Sequence, residues 1–206
     1  MTASIVGIYN VAVPTGRLII LFPKAFEALY IPNIASVYQN KEELKKIYYT
    51  TTKWVLIMSS MSLFWLILYS KEVILFFFKE EYIAAATPLI ILVIGYFIQG
   101  ISYTSRNILL LYKKTNIIFI ATVSSSLVNI ILNLILIPTK GMIGASVSST
   151  ISLILMGLIF IVIAYKETKI NPFNLKTFII VLASALSVFI TKNLLSYLNL
   201  SRLYIL

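Results

Sequence analysis

The sequence predicts an all-α integral membrane protein with about six transmembrane helices. Of its 206 residues 60% are apolar, and its mean hydropathy is +0.96. A helix needs about 20 residues to cross a hydrocarbon core about 30 Å thick, so a chain of this length holds roughly six or seven spans with short connections. No period-2 alternation persists over the roughly ten residues of a barrel strand, so helices must satisfy the backbone in lipid.

We expect the spans to form a single transmembrane domain over 1–206, at residues 6–37, 54–70, 84–112, 115–137, 141–165 and 177–197. Pro14, Pro23 and Pro32 lie in the first segment and predict a kinked helix, because proline removes a backbone hydrogen bond. The charged stretch 38–53 is expected to be an amphipathic linker. The apolar run 73–78 is expected to lie at the membrane interface.

The fourth and fifth segments are separated only by Pro138, Thr139 and Lys140. Helices joined so tightly should be antiparallel neighbours. Small or polar side chains recur at helical spacing in both segments, and we interpret them mainly as helix-packing contacts: Thr122, Ser126, Asn129 and Asn133, then Gly141, Ala145, Ser148 and Ser152.

Basic residues in alternate connections predict the orientation. One set holds nine, namely Lys41, Lys45, Lys46, Lys53, Lys113, Lys114, Lys166, Lys169 and Lys176. The opposite set holds five, namely Lys71, Lys79, Lys140, Lys192 and Arg202. The richer side of a membrane protein is the cytoplasmic one, so residue 1 is expected outside, in the cytoplasmic membrane. An uncharged outside start suggests that further sequence normally precedes it.

The composition excludes much chemistry. The chain has no Cys and no His, and all seven of its acidic residues are Glu. Zinc or haem sites, Cys or His nucleophiles and aspartate-held metals therefore lack their residues, so we expect no enzyme, no cofactor and no metal site. The net charge of +10 lies in connections rather than on a continuous face, which favours contact with anionic lipid over nucleic acid.

Charged residues in the first span are the principal candidate site. Asn10, Arg17 and Lys24 are seven residues apart, so they share one face of a helix. Such a stripe could face a water-filled cavity and bind an anionic group such as phosphate. Glu27 lies three residues after Lys24, within reach of an ion pair with it. The alternative is that Lys24 and Glu27 neutralise each other while Arg17 extends to the outer interface.

A second candidate face lies on the third span. Gln99, Ser102, Tyr103 and Arg106 recur at three- and four-residue steps, with Asn107 beside them. Gln99 and Arg106 are the predicted ligand-binding members. Alternatively, Arg106 marks the cytoplasmic headgroup zone, two turns before Lys113.

The order of residues in several stretches resembles polysaccharide flippases of the multidrug/oligosaccharidyl-lipid/polysaccharide exporter superfamily. The main stretch is NIILNLILIPTKGMIGAS (Asn129 to Ser146). The others are VGIYNVA (Val6 to Ala12), IPNIASVY (Ile31 to Tyr38), FKEEYIAAATPLIILVIGYF (Phe78 to Phe97) and LLLYKKTN (Leu109 to Asn116).

This resemblance implies one lobe of a two-lobed exporter with about 12 to 14 helices, matched from its eighth helix to its thirteenth. It also implies flipping of a polyprenyl-linked oligosaccharide without a covalent step, with cations such as Arg17 and Lys24 holding the anionic linkage. A single lobe has one cavity wall, so we expect it to need an amino-terminal lobe, a partner chain or a second copy.

Three alternatives stay open. An inactive remnant or a membrane scaffold would need no substrate. A cation-coupled multidrug exporter would need buried carboxylates, for which only Glu27 is a candidate. A membrane glycosyltransferase is disfavoured by the lack of Asp and His.

Overall fold

The computed structural model describes residues 3–173 and 175–197, and these residues are almost entirely helical, without a strand in the described ranges. The α-helices are α1 Ala3–Arg17, α2 Leu21–Ser36, α3 Lys41–Leu68, α4 Ser70–Phe77, α5 Ala86–Leu111, α6 Thr115–Thr168 and α7 Leu175–Tyr197. Short 3₁₀ helices occupy Leu18–Ile20, between α1 and α2, and Glu80–Ala85, before α5.

Long apolar helices confirm the predicted fold class. Within the described residues, the stretches long and apolar enough to cross a membrane are Ile5–Ser36, Lys41–Leu68, Glu80–Leu111 and Thr115–Thr168. A shorter apolar stretch, Ile179–Leu194, belongs to α7. The chain is therefore an all-α multi-pass membrane protein.

The first span is interrupted, and its prolines explain where. Pro23 has no amide to bond the carbonyl of Ile19, and its ring crowds the preceding turn. The chain passes through the 3₁₀ turn Leu18–Ile20 just before this point and resumes as α2. Arg17 ends α1 and Lys24 lies in the first turn of α2, so the interruption separates the two cations.

The linker expected over 38–53 is wrong for most of its length, because α3 begins at Lys41. The Asn40 side chain caps this helix by accepting a hydrogen bond from the Glu43 amide at 3.3 Å. Glu42 and Glu43 lie in the first turn, where acidic groups suit the helix dipole. Tyr48 is fully buried one turn further on, so the amphipathic stretch is the packed beginning of the span.

The fourth and fifth spans form one helical hairpin. Helix α6 has 54 residues, which would extend roughly 80 Å if straight. It folds back at Gly141, whose φ of 56° and ψ of −134° suit glycine. Lys114 Nζ lies 3.1 Å from Glu167 Oε1 at the far ends of the two arms, 115–140 and 142–168. The predicted antiparallel neighbours are therefore confirmed.

Helix α5 is the centre of the bundle and packs against α1, α2, α3 and α6. The second arm of α6 approaches it closely at Gly95, where an added Cβ would lie 2.9 Å from Thr150 Cα. The Thr150 hydroxyl donates to the Ile91 carbonyl at 2.8 Å. Ser148 and Ser152 of the predicted small-residue seam are buried on the same arm.

Every second connection between helices lies at the same end of the bundle. Tyr38 and Tyr112 stack edge to face at 5.4 Å, which brings the α2–α3 and α5–α6 connections together. At the opposite end, Lys192 Nζ of α7 donates to the Leu68 carbonyl at the end of α3, at 3.3 Å. This grouping agrees with the two sets of connections used for the orientation, whose cytoplasmic assignment stays a prediction.

Helix α4 occupies the run expected at the membrane interface. Its Val73 and Ile74 are buried against the bundle. Its Phe76 and Phe77 are exposed and contact each other edge to face at 5.0 Å. An amphipathic helix of this kind suits the boundary between headgroups and acyl chains.

Candidate functional site

A partly open cavity of about 580 Å³ lies among α1, α2, α5 and α6. Its size falls within the range of small-molecule sites, about 300–1,000 Å³. Its lining is Arg17, Ile20, Leu21, Lys24, Tyr96, Gln99, Tyr103, Thr122, Ser125, Ser126, Asn129, Ile130, Ser149, Ser152, Leu153 and Met156.

Two cations form one wall of this cavity. Arg17 and Lys24 are both exposed and both line it. Arg17 is held in place by α5, because its Nε donates a hydrogen bond to the Tyr96 hydroxyl at 3.3 Å. Its guanidinium carbon also lies 5.9 Å from the centre of the Tyr96 ring. Arg17, one of the two cations of this wall, is therefore positioned by contacts with α5.

Of the other predicted ligand-binding residues, some line the cavity and some do not. Gln99 lines the cavity from α5. Asn10 is exposed and is not among the lining residues. Two turns before Arg17 it is the neighbouring Tyr9 that turns toward the cavity side, since its hydroxyl lies 3.4 Å from Ser149 Oγ.

Glu27 pairs across helices, which corrects the Lys24–Glu27 pair that the sequence suggested. Glu27 Oε1 lies 3.5 Å from Arg106 Nη1, and the two side chains are 22% and 34% exposed. Lys24 lines the cavity instead. Arg106 is not in the cavity lining and pairs with Glu27, and its ligand-binding role stays a prediction.

The second predicted face contributes only part of its residues. Tyr103 lines the cavity beside Gln99. Ser102 is buried and donates to the Gln99 carbonyl at 2.7 Å. Asn107 is also buried, and its Oδ1 has no hydrogen-bond partner within the described residues.

Helix α6 supplies a polar wall that the sequence interpretation missed. Thr122, Ser126 and Asn129 line the cavity rather than serving only as packing contacts. Asn133 donates to Asn129 Oδ1 at 3.0 Å and so supports this wall. The signal was present in the sequence, because these polar residues recur at helical spacing on one face of a mostly apolar helix.

The cavity lining combines cations with neutral hydroxyl, amide and phenol groups. The lining residues named above include no carboxylate. Across residues 3–173 and 175–197, no three or more Glu side chains come together as a possible metal site. This donor set suits a ligand that has an anionic group and an uncharged polar part.

The described residues thus form a multi-pass membrane bundle with a polar, cation-lined cavity. The MatE family model matches residues 4–135, and the chain belongs to this family. Membership confirms the expected relation to the exporter superfamily. Together with the long apolar helices, it also confirms a multi-pass protein of the cytoplasmic membrane.

A solved structure shares the fold. It is titled lipid II flippase MurJ in an inward closed conformation, and it matches with a TM-score of 0.77 and 24% sequence identity. The match covers 90% of this chain and 40% of the MurJ chain. The chain thus spans less than half the length of that flippase. No curated protein matches the sequence.

Proposed function

We propose that this chain forms one lobe of a translocator that flips a lipid-linked oligosaccharide from the inner to the outer leaflet. The observation that carries the proposal is the pair Arg17 and Lys24 on the wall of a polar cavity. A cation in the apolar part of a bilayer costs about 2.5–3.5 kcal/mol on insertion scales unless it meets water or a partner. An anionic lipid linkage entering the cavity would supply that partner.

The chemistry of the two side chains suits phosphate or diphosphate. The Arg17 guanidinium can donate two parallel hydrogen bonds to phosphate oxygens, and the Lys24 ammonium adds a mobile point charge. The polyprenyl tail would stay in lipid while the polar headgroup occupies the cavity. Family membership and the flippase fold support movement of a lipid-linked substrate, and the proposed step neither makes nor breaks a bond.

Alternating access requires a second wall, so we propose that another helical lobe completes the cavity. It could belong to the same polypeptide, to a partner chain or to a second copy. The partly open cavity and the 40% coverage of the matched flippase chain support this proposal. In detergent, the particle mass of the purified chain by sedimentation would identify a second copy.

A binding experiment tests the role of the cationic wall. The probe is a ten-carbon prenyl diphosphate, and the matching neutral prenol serves as a reference. We expect the purified chain to bind the diphosphate more tightly, and Arg17→Gln with Lys24→Gln to weaken that binding about 10- to 100-fold, as expected for lost charged hydrogen bonds. The readout is the dissociation constant in detergent by thermophoresis.

The matched control changes the charge by the same amount elsewhere. Lys71→Gln with Lys79→Gln removes two exposed cations outside the cavity lining, one in α4 and one just after it. This variant should bind the diphosphate like the unmodified chain. Equal affinity of the unmodified chain for the diphosphate and the prenol would contradict the proposed function.

A further inference from the structure

The cavity has two walls of different chemistry. Arg17 and Lys24 lie on the first span, whereas the wall on α6 is uncharged. We define the α6 polar stripe by the cavity-lining residues of its first arm, Thr122, Ser125, Ser126 and Asn129. The second arm adds Ser149 and Ser152 to the same wall. The cavity therefore presents a cationic side and a hydroxyl- and amide-rich side.

The polar stripe is confined to one face of its arm. The face turned away from the cavity carries large, exposed apolar side chains, among them Leu127, Ile131, Leu134 and Ile135. Apolar exposure of this kind suits acyl chains, whereas hydroxyl and amide groups in hydrocarbon are costly. The arm thus separates a lipid face from a polar cavity face.

Several groups of the stripe keep hydrogen-bonding capacity. Ser125 is only 4% exposed, and its Oγ has no hydrogen-bond partner among the residues that the structure describes. Asn129 uses its Oδ1 to accept from Asn133, so its own amide nitrogen remains to donate. Ser126 is exposed in the cavity wall. Thr122 is exposed there too, but its hydroxyl already donates to the Ile118 carbonyl at 2.8 Å, so its oxygen is left only to accept. A buried polar group without a partner is unfavourable, which favours a ligand or water that completes it.

Neutral groups that both donate and accept are complementary to a polyhydroxylated, uncharged ligand such as a sugar ring. An anion would instead prefer the Arg17 and Lys24 side. A purely apolar ligand would leave the amide and hydroxyls unpaired. Tyr96 and Tyr103 lie on α5 and also line the cavity, adding aromatic surface of the kind common in ligand sites.

We infer that the α6 polar stripe is a sugar-binding subsite. It receives the uncharged sugar part of a substrate whose anionic linkage lies against Arg17 and Lys24. This inference rests on the proposed function and adds a direction to it: the headgroup lies across the cavity, with its diphosphate on α1–α2 and its first sugar on α6.

The experiment compares two probes on the same purified chain. One is the ten-carbon prenyl diphosphate, and the other is that lipid with one N-acetylhexosamine on its diphosphate. We expect the sugar to tighten binding about tenfold, as two or so neutral hydrogen bonds would. Ser126→Ala with Asn129→Ala should reduce the ratio of the two dissociation constants to about one.

A control variant removes the same two residue types outside the cavity. Ser124→Ala with Asn116→Ala lies on the same arm, and both residues are exposed but do not line the cavity. This control variant should keep the full ratio of the two dissociation constants. Arg17→Gln with Lys24→Gln should weaken both probes together, which separates the cationic side from the sugar side.

The outcomes are distinguishable. If the Ser126 and Asn129 variant keeps the full ratio, the subsite is wrong. If the unmodified chain binds both probes equally well, the subsite is also wrong while the proposed function stands. If it binds the diphosphate no better than the neutral prenol, the proposed function fails and the subsite fails with it.

Discussion

Glu27 and Arg106 show how two charges are accommodated within the helices of this bundle. Their side-chain atoms approach to 3.5 Å across α2 and α5, and both side chains are partly exposed. An ion pair in this setting offsets part of the cost of removing each charge from water. Glu27 therefore has a structural role in joining two helices.

Removing one charge of the Glu27–Arg106 pair should lower the free energy of unfolding more than removing both charges. We expect Arg106→Gln to reduce the free energy of unfolding by about 1–2 kcal/mol, between the values typical of exposed and of buried pairs. Glu27→Gln with Arg106→Gln should recover part of this loss, because no unpaired charge remains. The measurement is thermal unfolding in detergent, and a double variant no more stable than Arg106→Gln would contradict the pairing.

The partner of Glu27 could not be predicted from sequence spacing. The three-residue step to Lys24 is a local rule about one helix, whereas Arg106 lies 79 residues away on α5. Contacts between helices depend on how the helices pack. The seven-residue step predicts one shared face for Asn10, Arg17 and Lys24, and the structure places Arg17 and Lys24, but not Asn10, in the lining of one cavity.

At the scale of elements, close contact between α5 and the second arm of α6 organises the bundle. Gly95 allows the backbone of Thr150 to approach, and Gly157 allows the side chain of Ile98 to approach. Small residues at such contacts are typical of membrane helices, where packing rather than hydrophobicity holds helices together. This contact also fixes one side of the cavity.

Two glycine substitutions test the importance of this contact. Gly95→Ala places a methyl group 2.9 Å from Thr150 Cα and should destabilise the fold by about 1–3 kcal/mol, as overpacking does. Gly7→Ala is the matched control, since nothing lies within 4 Å of its added Cβ. It should be neutral or stabilising by up to about 1 kcal/mol. Equal thermal unfolding midpoints for the two variants would refute a tight α5–α6 contact.

Features set by local sequence could be predicted. Features set by how one helix packs against another were harder to predict. The hairpin follows from a short connection that contains Pro138 and ends at Gly141. The start of α3 at Lys41 was missed, because charged residues resemble a linker until Leu44 and Tyr48 are seen to be buried. The sequence does not say which helix face meets a neighbour, so it predicts packing contacts for polar residues of α6 that line the cavity in the structure.

For the molecule as a whole, we propose that one side of the bundle borders an aqueous pathway and another borders lipid. Both surfaces are exposed in the isolated chain. Ser126 lines the cavity, whereas Leu134, two turns further along the same arm, is 73% exposed on the apolar face. Exposure alone does not separate these two environments, but their polarity does.

The sequence has no Cys, so single cysteines can report on these environments directly. In intact vesicles or cells, Ser126→Cys should react readily with a charged, membrane-impermeant maleimide, because thiolates form in water and not in hydrocarbon. Leu134→Cys should react far more slowly and should need detergent for labelling. A ten-carbon prenyl diphosphate bearing an N-acetylhexosamine should protect position 126 when it occupies the cavity. Equal labelling rates at 126 and 134 before detergent is added would mean that the α6 polar stripe does not face water, and would remove the physical basis for a substrate pathway there.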